Sequence, residues 1–118
     1  MDHTMSYELI TTVYLNQGAY QSHGFGELAP AKLAAATAFT LTLTGQPSAE
    51  DVKGLLELIF EQLNIADPDQ PWAHKYRLAG HRSLRVGDVV VIGETAWACA
   101  SSGWKLLTAE RLHDALYH

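Results

Sequence analysis

The stretch from Gly80 to Trp104, GHRSLRVGDVVVIGETAWACASSGW, limits the fold more than any other part of the chain. Val89 to Ile92 are four consecutive β-branched residues, which fit a strand buried on both faces. Gly93-Glu94 follows, a two-residue hairpin loop of the kind that wants glycine first. The chain returns through Thr95 to Ala100, setting Ala96, Ala98 and Ala100 on one face and Trp97 and Cys99 on the other. Ser101-Ser102-Gly103 breaks this strand, and Trp104 to Leu107 reads as a further short one. The stretch holds strands joined without a crossover helix and no catalytic motif.

The flanking segments add helices and two more strands. Tyr7 to Leu15 alternates with a period of two, so Tyr7, Leu9, Thr11, Val13 and Leu15 share the buried face of a strand. Asn16 to Gly26 holds three glycines and reads as a loop. Ala29 to Ala36 is alanine-rich with Pro30 near its start, which predicts a short helix. Thr37 to Thr44 then alternates threonine with apolar residues and predicts a strand; one longer helix over the whole segment is the alternative.

Pro47 to Leu63 is the clearest helix. Ser48 and Asp51 stand at capping-box spacing, and Val52, Leu55, Leu56, Ile59, Phe60 and Leu63 recur as one stripe expected to be buried. Asn64 and Asp67-Pro68 end it. A helical turn after Pro71 docks Trp72 and Tyr76, four apart. Thr108 caps a last helix with Leu112, Ala115 and Leu116 facing inward. Strands are not interleaved with crossover helices, so the expected class is α+β. A small, mostly antiparallel sheet, open or curled toward a barrel, packs against the main helix 48–63, with a C-terminal helix beyond. Residues 7–118 read as one domain and 1–6 as a flexible extension.

Composition narrows the chemistry. Hydrophobic residues make up 47% of the 118 and charged ones only 18%, which suits a packed core rather than disorder. A net charge of −5 argues against a surface that tracks phosphates. Cys99 is the one cysteine, so no internal disulfide forms, in keeping with a reducing compartment. No apolar run is long enough to span a bilayer, and no membrane partner is expected.

No side-chain constellation announces a reaction. His74 and His81 lack a carboxylate or cysteine at ligand spacing, and a metal site needs three or four converging ligands, so neither metal nor cofactor is expected. Cys99 reads as a small core residue among alanines rather than a nucleophile. Asp67 and Asp69, with Glu61 nearby, could suggest a carboxylate pair, but their proline-rich context reads as a turn. His23-Gly24-Phe25-Gly26 has the wrong spacing for a phosphate cradle, and Lys32 is displaced from it. The sharpest site-level pattern is Trp72, Lys75, Tyr76, Arg77, Arg82 and Arg85, cations interleaved with aromatics as on a single-strand nucleic-acid platform. Loop cations are more often simply solvated, and on that reading replacing Arg77, Arg82 and Arg85 by alanine leaves stability almost unchanged.

Three segments in order, LLELIFEQLN (Leu55 to Asn64), GHRSLRVGDVVVI (Gly80 to Ile92) and AWACASSGW (Ala96 to Trp104), resemble the YodL-like domain family. That family occurs in proteins of phages, plasmids and conjugative elements of Gram-positive bacteria. The chain departs from its pattern at Arg85, where serine is usual, and in a longer spacer before Gly80. The resemblance implies a mobile-element context, hence the cytoplasm of a bacterial host, and no established chemistry. The recurring residues carry structural readings: Gly80, Leu84, Gly87 and Asp88 in the turn, Gly93 in the hairpin, and Cys99, Gly103 and Trp104 in the close. The function expected is that of a non-enzymatic accessory protein that binds a host or element protein. A nucleic-acid module built on residues 72–85 is the alternative.

Overall fold

The computed structural model describes residues 6–17 and 32–117, and within them the chain forms an α+β fold. Its strands are β1 (Ser6–Asn16), β2 (Leu33–Thr44), β3 (Val89–Ile92), β4 (Thr95–Cys99) and β5 (Trp104–Leu107). Its helices are α1 (Ala49–Asn64), α2 (Pro71–Leu78) and α3 (Ala109–Tyr117). All paired strands are antiparallel, in the order β2-β1-β3-β4-β5. The sheet is open, with β2 and β5 as its edges.

The two faces of the sheet bury separate cores. On one face Val13 and Leu15 of β1, Leu41 of β2, and Val90 and Ile92 of β3 meet Leu56, Ile59 and Leu63 of α1 and Ala73 and Tyr76 of α2. On the other, Leu33, Val89, Ala96, Ala98 and Leu107 meet Ala115 of α3, with Leu112 and Leu116 packed beside it. The unbroken apolar run of β3 follows from this, because a strand covered on both sides has no solvent face on which to place polar residues.

The alanine-rich segment departs from expectation. Leu33 to Ala36 are strand, not helix, and continue into Thr37–Thr44 as one element. The advantage of alanine in a helix is under about 1 kcal/mol per residue, whereas the ladder with β1 pairs Tyr14 with Ala35, Leu15 with Ala34 and Asn16 with Leu33. A bulge at Val13/Tyr14 leaves Ala36 unpaired and switches the face on which the following residues lie. Leu33 is thereby buried on the α3 side, and Leu41 on the α1 side. Residues 29–31 of the expected helix, 18–26 of the expected loop and 1–5 of the expected extension lie outside the described residues.

The two terminal caps act as their spacing requires. The Ser48 hydroxyl accepts from the Asp51 N–H, and the Asp51 carboxylate accepts from the Ser48 N–H. Thr108 Oγ1 accepts from the Arg111 N–H at the start of α3. The stripe of α1 is only partly buried, however. Leu56, Ile59 and Leu63 are fully inside, while Phe60 is 36% exposed. Phe60 lies on the flank of the stripe, edge-on to Trp104 with ring centroids 6.3 Å apart. A buried residue outside the stripe, Gln62, accepts from the N–H groups of Asp69 and Gln70 and fixes the entry to α2. Among the described residues, no helix is long and apolar enough to cross a membrane.

Candidate functional site

The loop from Gly80 to Asp88 is where most of the motif residues meet. The Asp88 carboxylate is buried, with the Arg82 guanidinium at 2.7 and 2.8 Å and the N–H groups of Asn16 and Arg85 each at 2.8 Å. Its backbone carbonyl accepts from the Cys99 N–H. Asp88 therefore holds its own turn and also ties β1, β4 and the loop together. Gly87 has φ +99°, a conformation that side-chain-bearing residues rarely adopt, and a Cβ there would crowd the Asn16 side-chain amide at 3.2 Å, so the turn favours glycine. One step away, the Asn64 amide donates to the Leu84 carbonyl and accepts from the Leu84 N–H, stapling the end of α1 to the same loop.

This geometry overturns the expectation that the arginines are spectators. Arg82 is ion-paired with buried Asp88, and it also donates to the Asn16 carbonyl. Arg77 donates to the Ile65 carbonyl behind α1. The cation–aromatic platform is not assembled either. Tyr76 is 1% exposed, its hydroxyl donates to the Arg82 carbonyl, and burial together with the nearby Asp88 carboxylate pushes that hydroxyl up to about 12. Trp72 lies flat on Phe39, with ring centroids 4.3 Å apart, so one of its faces is covered. Lys75 and Arg85 stay exposed on different elements.

Of the other reactive residues, Cys99 and His81 pack into the fold, whereas His74 is exposed on α2. Cys99 is buried, and desolvation lifts its thiol to about 11, which keeps it protonated near neutrality. His81 packs its ring on Tyr76 at 4.9 Å. Among the described residues no three histidine, cysteine, aspartate or glutamate side chains converge as a metal site would require. The expected phosphate-loop residues His23 to Gly26 lie outside the described residues.

What the fold leaves open is a groove of about 510 Å³ between α1 and the β4–β5 hairpin. The ladder pairs Cys99 with Trp104 and Trp97 with Leu106, so these four side chains share the face that α1 only partly covers. Trp97 and Trp104 line the groove, and Gly54 of α1 and Gly103 of the hairpin border it. A Cβ at either glycine meets nothing within 4 Å, so both border open space. A smaller recess lined by Phe60, Cys99 and Ala100 adjoins it through Glu57, Gly103 and Trp104. Leu106, cross-strand from the groove residue Trp97, is 64% exposed.

The rim is charged. Glu50, Lys53 and Glu57 line the groove from α1, and Asp51 and Glu61 are exposed on the same helix. The Trp97 indole N–H donates to Thr95 Oγ1 at 3.1 Å, so the ring has its faces and edges, not its N–H, to offer a ligand. Aromatic surface beneath carboxylates suits an apolar side chain next to a cation. The sequence placed Gly103 and Trp104 in a structural motif, Phe60 in a buried stripe and Trp97 on a strand face with Cys99, but did not bring them together with Gly54 and Leu106 as one open surface. The signal was the two-residue spacing of Trp97 and Cys99, and of Trp104 and Leu106, which puts all four on one face once the strands pair. Comparison of the chain with family models, with curated proteins and with solved structures returns no match.

Proposed function

We propose that this chain is a non-enzymatic binding module, an accessory protein of a phage or other mobile element, that docks a host or element protein in the groove between α1 and β4–β5. The observation that carries the reading is the joint exposure of Phe60 and Leu106 beside the half-buried Trp97 and Trp104. Contiguous exposed apolar surface rimmed by polar residues is typical of protein interaction sites, and aromatic anchors dominate their energetics. The two glutamates that line the groove beside Lys53 add a preference: a partner segment with an aliphatic or aromatic side chain next to lysine or arginine. The mobile-element context rests on the resemblance of residues 55–104 to the YodL-like family, and the bacterial cytoplasm follows from that context.

Selection of peptides from a random display library on the full-length protein tests this. Enriched peptides should carry an apolar residue beside lysine or arginine. Their binding should be lost on Leu106→Asp, a change at a largely exposed position that leaves the fold intact, and should weaken only modestly with salt. Peptides that bind the variant as well as the wild type would remove the groove from consideration. A micromolar, salt-sensitive affinity for single-stranded DNA or RNA, abolished by Lys75→Ala with Arg85→Ala, would replace this reading with a nucleic-acid one.

A further inference from the structure

β2 is an edge strand of unusual kind. It runs for 12 residues, about twice the usual length of a strand. One side pairs with β1 along its length, and no described residue hydrogen-bonds to the other. Its sequence, LAAATAFTLTLT, contains no lysine, arginine, aspartate, glutamate, proline or glycine. Those are the residues with which proteins ordinarily blunt a free edge. The opposite edge, β5, is protected: it has four residues, and Lys105 is exposed on it.

The register shows which groups are free. The Ile10 carbonyl accepts from the Gly93 N–H, so the main chain of Ile10 faces β3, and that of Leu9 and Thr11 faces β2. Leu9 pairs with Leu41 and Thr11 with Phe39, so the N–H and C=O groups of Ala38, Thr40 and Thr42 point outward. Their side chains are exposed as well.

We infer that β2 pairs antiparallel with β2 of a second copy of the chain, joining two sheets into one of ten strands about a two-fold axis. Three observations favour a second copy over a foreign strand. The strand is uncharged, so identical strands meet without local repulsion although each chain carries −5. Antiparallel pairing of identical edges is isologous: it satisfies both at once and closes at two. Threonines at 37, 40, 42 and 44 give cross-strand partners of a kind that stabilises antiparallel pairs. Pairing β2 with β5 of another copy would instead match 12 residues against four and leave open ends.

Light scattering across a micromolar to near-millimolar range tests this. The wild type should rise to twice the monomer mass. Thr40→Pro removes an outward N–H without touching the ladder to β1, and Thr40→Lys brings like charges together at the pairing edge. Both variants should stay monomeric with an unchanged circular-dichroism spectrum. The amides of Ala38, Thr40 and Thr42 should be slow to exchange in the dimer and fast in either variant. A wild type that stays monomeric throughout overturns the inference. So does a dimer that survives both substitutions, or one that dissolves on Leu106→Asp, which would place the contact in the groove.

Discussion

Asp88 gathers four donors on a side chain that is 1% exposed, and a buried carboxylate tolerates that position only because its charge and lone pairs are answered. Breaking such a pair from one side is more damaging than never having built it, since the remaining charge stays buried without a counter-ion. Arg82→Ala is therefore expected to destabilise the fold by about 3–5 kcal/mol, measured by urea unfolding. Arg85→Ala, three residues on, keeps the backbone N–H that Asp88 uses and should cost less than about 1 kcal/mol. Equal effects of the two substitutions would mean that the ion pair is not what anchors the loop. The pairing of residues 82 and 88 is not visible in spacing alone. It depends on the turn at Gly87 folding the loop back on the end of β1.

At the level of elements, α1 shows how a stripe and a covered surface differ. Helical periodicity sets the angle at which each side chain leaves the axis, and it places Phe60 beside Ile59. The breadth of what lies beneath determines how much of the stripe is covered. Ile59 is enclosed, while Phe60 is 36% exposed and meets Trp104 edge to face. Ile59→Ala should cost about 2–5 kcal/mol. Phe60→Ala should cost about 1–2 kcal/mol, mostly the aromatic contact. Chemical denaturation of the two variants side by side checks the ranking, and a reversal would move the helix relative to the sheet.

The whole molecule is a sheet covered on one face by α1 and α2 and on the other by α3. The α3 layer is thin, since the one buried side chain of α3 is Ala115, which clusters with Leu33, Val89, Ala96, Ala98 and Leu107. A charged group at Ala115 would be placed within this apolar cluster, where burying it unpaired is costly. Ala115→Asp should lower stability by several kcal/mol and raise binding of a hydrophobic dye, as the second core opens. A melting temperature unchanged by this substitution would show that α3 is not part of the cooperative unit.

The elements legible in the sequence are those whose cause is local. The β3–β4 hairpin follows from Gly93 between two β runs, with φ +58° at that glycine. The start of α1 follows from Ser48 and Asp51, and that of α3 from Thr108. Each acts over three or four residues, so their order along the chain is enough. Only the tertiary structure decided that β1 lies between β2 and β3, that the alanines of residues 33–36 extend a strand, that Tyr76 is enclosed and Arg82 held by Asp88, and that Trp97, Trp104, Phe60 and Leu106 share an open face. These outcomes depend on contacts between residues far apart in the chain. There, burial and pairing with a distant segment outweigh the few tenths of a kcal/mol by which one residue prefers one local conformation to another.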